Sequence, residues 1–230
     1  MPETPFPVML FAAGFGTRMG ALTKDTPKPM VKVAGRPMID HALGLIETAQ
    51  TGRVVANLHY KPDALRSHLE GRNVTCILET PDILDTGGGL RNALPTLGAT
   101  TVITMNSDAF WAGPNPLPLL MAAWQPEVMD ALLMCVPSDR AVGRNGPDDF
   151  AADPAGRLQR GSGLVYGGLQ IIKTDLMSQM PPGAFSLNRL WDVMLRQDRL
   201  FGTSYPGHWC DVGHPEGITL AEDLLAGRHV

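Results

Sequence analysis

The chain has few cysteines, no long apolar run and no excess of positive charge, and each shortage excludes something. Its three cysteines among 230 residues, Cys76, Cys135 and Cys210, stand apart from one another. They form no CxxC pair and no even-numbered framework, which excludes a disulfide-stapled fold and points to a reducing compartment. Cys76 and Cys135 read simply as core positions of strands. The longest apolar runs, such as 131–136, are far too short to cross a bilayer, so no membrane is expected as a partner. Residues 1–7 carry Glu3 and no positive charge, and the apolar stretch that follows runs straight into glycines. No signal peptide is read there, and a cytoplasmic location is the expectation. A formal net charge of −4 argues against nucleic acid, whose binders show a basic stripe.

What is present is an ordinary globular composition, 44% apolar and 18% charged, enough for one sizeable core. Short β-rich runs at 8–12, 53–58, 74–79, 101–105 and 130–136 alternate with amphipathic segments at 38–49, 61–69, 88–94 and 117–124. This rhythm predicts an α/β fold, a Rossmann-like open and mainly parallel sheet flanked by helices. After Pro137 the texture changes to a stretch rich in Gly, Asp, Arg and Pro, with a small hairpin expected from 149–152 and 158–160. A strand at 165–173 and helices at 187–197 and 217–225 follow. No repeat or linker appears, so 1–230 reads as one domain: a nucleotide-binding part to about 137, then a small substrate-facing β subregion within the remainder.

The first strand runs into Ala12-Ala13-Gly14-Phe15-Gly16-Thr17-Arg18-Met19. In an open α/β sheet a loop leaving a strand's carboxyl end sits where ligands bind. Small residues there let successive backbone N–H groups approach phosphate oxygens, and Arg18 adds a planar, permanently charged fork. Neither GxxxxGK[ST] nor GxGxxG is satisfied, and a lone GxG also serves as a plain structural turn. Ten residues beyond Arg18, Thr26-Pro27-Lys28-Pro29-Met30 fixes one lysine between two prolines. That stiff mount suits a cation that must meet phosphates, although an exposed lysine can be only a solubilising charge.

The two loops, followed by Val33, resemble in type and spacing the signature of the sugar-phosphate nucleotidyltransferase family, roughly AAGxGTR(M/L)…(T/H)PKP(M/L)…V. Ala21 departs from it, where many members have proline. The resemblance implies the family's nucleotide-diphospho-sugar transferase fold and transfer of a nucleotidyl group from a nucleoside triphosphate to a sugar 1-phosphate, with release of pyrophosphate. It implies Arg18 and Lys28 as catalytic cations and Ala12, Ala13, Gly14, Gly16, Thr17 and Asn106 as nucleotide-binding residues. Leu84-Asp85-Thr86-Gly87-Gly88-Gly89-Leu90, otherwise a flexible turn, matches the family's base loop with Gly88 as a backbone contact. Glu79 falls where relatives place a base-reading side chain; its carboxylate could accept from guanine or from uracil. Asp108 and Asp211, each also acceptable as a cap or turn residue, become the ligands of Mg²⁺ by resemblance.

Tyr166-Gly167-Gly168-Leu169 resembles the family's sugar-pocket strand, and Asp149, Gly168 and Asn188 fall at sugar-binding positions. An acidic-Lys-Pro motif, whose lysine often contacts the sugar phosphate, is missing from 135–160. A zinc reading of His208, Cys210, Asp211 and His214 fails, because HxCDxxH fits no standard zinc spacing. Within the family, the compact length and the Gly-His-Trp-x-Asp-Val-Gly segment resemble the uridylyltransferase branch whose sugar is N-acetylmuramate 1-phosphate, serving cell-wall recycling. The guanylyltransferase branch for mannose 1-phosphate is its rival. A non-catalytic sugar-nucleotide-binding subunit is a further alternative, and a monomer or small homo-oligomer is expected.

Overall fold

The computed structural model describes residues 5–228; the first four residues, on which part of the N-terminal reading rests, lie outside the described residues. In chain order the elements are β1 (Val8–Phe11), β2 (Lys32–Val33), β3 (Arg36–Pro37), α1 (Met38–Thr48), β4 (Val54–Leu58), α2 (Pro62–Leu69) and β5 (Val74–Leu78). Then come α3 (Asp85–Leu97), β6 (Thr101–Asn106), β7 (Ala109–Ala112), α4 (Pro116–Ala123), β8 (Ala131–Pro137), β9 (Phe150–Ala152) and β10 (Leu158–Arg160). The chain closes with β11 (Leu164–Lys173), α5 (Asn188–Arg196), β12 (Leu200–Ser204), β13 (His208–Asp211) and α6 (Glu216–Leu225). Every strand and helix expected from the sequence forms, within a few residues of its expected ends. The largest shift is α3, which begins at Asp85 rather than at Gly88.

A nine-stranded sheet forms the centre. β5, β4, β1 and β6 lie parallel in that order, as the βαβ rhythm requires. β11 then runs antiparallel between β6 and β8, and β12 pairs parallel with β8. The sheet is therefore mixed and mostly parallel, with a reversed strand that also anchors the β9–β10 hairpin at Leu164. Alternation along β1 divides the core. Val8 and Leu10 join Ile39 and Leu43 of α1 on one face, whereas Met9 meets Leu90 and Ala93 of α3 on the other. A smaller cluster under the glycine loop joins Met19, Val33, Phe110, Cys210 and Val212 to Leu224 of α6. No helix among the described residues is long and apolar enough to cross a membrane.

Strands β7, β12 and β13 carry no clear period-2 pattern, and the sequence does not predict them. β7 and β13 make a separate two-stranded ladder that pairs Asp211 with Ala109. Their residues are set by each other rather than by local propensity.

The glycines of α3 serve close packing. A Cβ at Gly87 would lie 2.3 Å from the Phe185 ring and 2.8 Å from its carbonyl oxygen. Gly87→Ala is expected to destabilise the fold by about 1–3 kcal/mol through overpacking. Urea unfolding checks this: an unchanged midpoint would mean that the 183–185 segment moves aside freely.

Candidate functional site

The carboxyl ends of β1, β4, β5 and β6 open into a cavity of about 310 Å³. Its wall takes Ala12, Ala13, Gly14, Gly16, Thr17 and Arg18 from the glycine loop and Lys28 from the proline-flanked loop. Gly16 explains how the two loops meet. Its backbone is left-handed at φ 65°, and a Cβ there would come within 2.9 Å of both Lys28 Cβ and Thr23 Cγ2. The Thr23 hydroxyl donates to Gly16 O at 2.9 Å and closes the loop on itself. Lys28 is thereby carried to the floor of the cavity, where its ammonium pairs with Asp108.

A second cavity, of about 330 Å³, lies beside the first. The two share a wall made by Phe11, Arg18, Asp85, Thr86, Asn106 and Asp108. Beyond that wall the second cavity is lined by Arg144, Asp149, Tyr166, Asn188, Trp191 and Asp211, among others. Asp211 reaches it because the β7–β13 ladder sets it beside Ala109, and Val212 N–H donates to Asp108 O at 3.0 Å. Two carboxylates from distant parts of the sequence thus face one space. Among the described residues no cluster of three or more His, Cys, Asp or Glu could cage a metal. Two hard carboxylates beside a phosphate-sized space form the donor set that Mg²⁺ takes, with water and phosphate completing its shell. Burial, and next the Asp211 charge, push the Cys210 thiol up to about 12, so it stays protonated near neutrality.

Several side chains singled out from the sequence are placed differently from expectation. Glu79 is buried at 1% exposure at the back of the first cavity with both oxygens committed: Oε1 accepts from Asn57 Nδ2 at 2.7 Å and Oε2 from Leu84 N–H at 2.8 Å. Glu79 thus both lines and braces the first cavity, each oxygen accepting one hydrogen bond from the protein. Gly88 lies inside α3 rather than in a loop, off both cavity walls, and its N–H donates to Phe185 O at 3.1 Å. Asp85 and Thr86, one turn earlier, take the wall position. The Ala12 N–H is likewise spent, on Asn57 Oδ1 at 2.9 Å. Gly168 also lies off the walls. It is left-handed at φ 79° within a break in the β11–β8 register, and a Cβ there would strike the Asn106 side chain at 2.8 Å. Its role in this geometry is to admit Asn106 to the shared wall.

Asp149 and Asn188 do line the second cavity, yet both are engaged by the protein. Asp149 Oδ2 accepts from Tyr166 N–H at 2.9 Å, and Asn188 Oδ1 accepts from Arg160 at 2.8 Å. The sequence does not single out Asn57, Arg144 or Trp191 as wall or bracing residues. Asn57 carried a signal, a lone amide near the end of a buried apolar strand. Arg144 carried none, since it sits in the irregular stretch after Pro137.

Comparison with known proteins adds the following. The model of the MobA-like NTP transferase domain matches residues 8–211. The N-acetylmuramate alpha-1-phosphate uridylyltransferase of Caulobacter vibrioides is 36% identical over 241 aligned residues, covering 98% of this chain and 99% of its own. The mannose-1-phosphate guanyltransferase of Gibberella zeae is 25% identical, over 95% of this chain but 62% of its own. Among solved structures, HddC from Yersinia pseudotuberculosis, crystallised with GMP-PN, superposes with a TM-score of 0.75 at 22% identity, covering 95% of this chain and 98% of that one. At that identity the likeness establishes the fold.

The buried Asn57 bracket yields a direct expectation. Asn57→Ala leaves the Ala12 N–H and one Glu79 oxygen unpaired, at about 1–3 kcal/mol for each orphaned group. Denaturant unfolding of the variant is expected to show a loss in that range, and isothermal titration a weaker nucleotide affinity. Unaltered stability would mean that water replaces the amide without cost.

Proposed function

Because the chain belongs to the MobA-like NTP transferase domain family, we propose that it is a sugar-1-phosphate nucleotidyltransferase, joining UTP to N-acetylmuramate 1-phosphate and releasing pyrophosphate. The observation that carries this reading is the wall shared by two cavities, with Arg18 and Asp108 on both sides of it. A reaction between two phosphorylated substrates needs two such spaces meeting at one charged boundary. The choice of uridine and muramate follows the relative that matches across nearly its whole length; the guanylyl relative is more distant and extends well beyond this chain.

In this reading residues up to about 137 hold the nucleotide and those from about 138 hold most of the sugar. All but one of the residues lining the first cavity come from the earlier part. An oxygen of the sugar 1-phosphate attacks the α-phosphorus in line; its bond to phosphorus forms as the α–β bridge breaks, and pyrophosphate leaves with the electron pair. The nucleophile is already an anion, so no general base is needed. What the residues must supply is alignment and charge. Arg18, on the shared wall, holds the leaving phosphates with its fork, assisted by backbone N–H groups of residues 13–17. Lys28 meets the α-phosphate. Asp108 and Asp211 would hold Mg²⁺, whose contribution when bound is to neutralise and orient phosphate oxygens. Three unpaired cysteines and a triphosphate substrate fit the cytoplasm, and the product fits salvage of a cell-wall sugar.

Pyrophosphate release tests the reading, with UTP, GTP, CTP and dTTP each offered N-acetylmuramate, N-acetylglucosamine, glucose and mannose 1-phosphates. UTP with N-acetylmuramate 1-phosphate is expected to be fastest and to require Mg²⁺. Lys28→Ala and Asp108→Ala are each expected to lower kcat/KM by roughly 10²–10³-fold while the variants remain folded. Turnover of GTP with mannose 1-phosphate would move the substrate and keep the chemistry. Nucleotide binding without pyrophosphate in any pairing would leave a non-catalytic binding protein.

A further inference from the structure

Arg144 is the cation of the second cavity that the reaction just described does not use. It lines that cavity but stands outside the wall shared with the first, where the 1-phosphate must lie to reach the α-phosphorus. Among the described residues no other arginine or lysine lines the second cavity except Arg18, which belongs to the shared wall. Arg144 is held at one end only. Nη2 donates to Pro147 O at 3.0 Å and faces Asp149 Oδ1 at the long distance of 3.5 Å. Asp149 is turned the other way, its second oxygen taken by the Tyr166 N–H. The Nε of Arg144 is enclosed and has no hydrogen-bond partner. That donor has no protein acceptor, and the carboxylate that the guanidinium faces stands at long distance.

The surrounding charge narrows the occupant. Asp108, Asp149 and Asp211 face the same cavity, so a neutral sugar would need no further cation there. A sugar bearing its own carboxylate would be repelled unless one group opposed the acidic wall. A guanidinium fork is the geometry that pairs with a carboxylate through two parallel N–H···O bonds.

Resting on the transferase reading above, we infer that Arg144 is a specificity-determining residue which reads an anionic substituent on the sugar, remote from the 1-phosphate. In N-acetylmuramate that substituent is the lactyl ether carboxylate, and N-acetylglucosamine 1-phosphate is the same sugar without it. The carboxylate takes the guanidinium fork that faces Asp149 only at long distance.

The test compares kcat/KM for N-acetylmuramate 1-phosphate and N-acetylglucosamine 1-phosphate, with saturating UTP and Mg²⁺, in the parent and in Arg144→Gln and Arg144→Lys. The parent is expected to prefer the acidic sugar. Arg144→Gln is expected to cut the preference ratio roughly 10- to 100-fold, the range of a hydrogen-bonded charge contact, with the change falling on KM. Arg144→Lys, which keeps the charge and loses the fork, is expected to fall between. Thermal unfolding of both variants separates this from loss of fold, and the lysine variant keeps the test open if glutamine does not fold. An equal loss on both sugars would place Arg144 on the 1-phosphate and overturn the inference. So would an unchanged ratio, or a parent with no preference for the acidic sugar. A parent that turns over none of the sugar 1-phosphates would instead defeat the transferase reading itself.

Discussion

The geometry of the site depends on a single buried hydrogen-bonded chain. Asn57, 4% exposed near the end of β4, accepts from Ala12 N–H with Oδ1 and donates through Nδ2 to Glu79; the other oxygen of Glu79 accepts from Leu84 N–H. Two side chains thereby tie the ends of three adjacent strands to the start of α3. Both hydrogen bonds of Asn57 are buried, so losing its amide leaves the Ala12 N–H and a Glu79 oxygen without a partner. The glycine loop starts where it does because Ala12 is pinned. The lysine loop meets it because Gly16 leaves room for the Lys28 stem. Arg18 and Lys28 are therefore aimed by backbone held from beneath, and neither needs a rigid side chain of its own.

The other half of the site depends on the interruption of the parallel sheet. With β11 inserted in reverse between β6 and β8, the chain after Pro137 returns across the carboxyl ends of the parallel strands instead of crossing to a far edge. That return carries Arg144, Asp149 and Tyr166 to the second cavity. The register break at Gly168 is the local cost of the reversal, and it admits Asn106 to the wall between the cavities. The buried amide of Gln170 then spans this region, donating to the Thr104 hydroxyl at 3.1 Å and accepting from the Trp191 indole at 2.9 Å. It fixes a large ring of the sugar side to the central sheet.

The parallel half of this arrangement was legible in the sequence because its signals are local. Apolar runs of strand length, a glycine loop and a lysine between two prolines each determine their own backbone. Asp108 and Asp211 could be named from two motifs, but their approach could not be derived, because it is made by β7 and β13, whose residues become a ladder only when paired. Gly88 misled for an instructive reason. A run of glycines permits a ligand to approach and permits the chain's own 183–185 segment to approach equally well, and the sequence does not distinguish the two. Glu79 is similar: a carboxylate at a strand end reads as a ligand contact, and its second task, bracing the pocket through the amide and the backbone N–H it accepts from, is not visible in the sequence.

The remaining constraint is charge. The two cavities together carry Glu79, Asp85, Asp108, Asp149 and Asp211 against Arg18, Lys28 and Arg144, and both proposed substrates are polyanions. A wall this acidic would reject them unless its carboxylates were already opposed. Lys28 opposes Asp108 directly, and Arg144 stands loosely against Asp149. In the proposed reaction a substrate phosphate competes with Asp108 for Lys28, and the carboxylate so released is one of the two assigned to the metal. The same exchange holds in the second cavity. A sugar carboxylate takes the fork that Asp149 holds at 3.5 Å, and Asp149 keeps its short bond to the Tyr166 N–H. In this reading each cation is held by a carboxylate of the wall until a substrate anion competes for it.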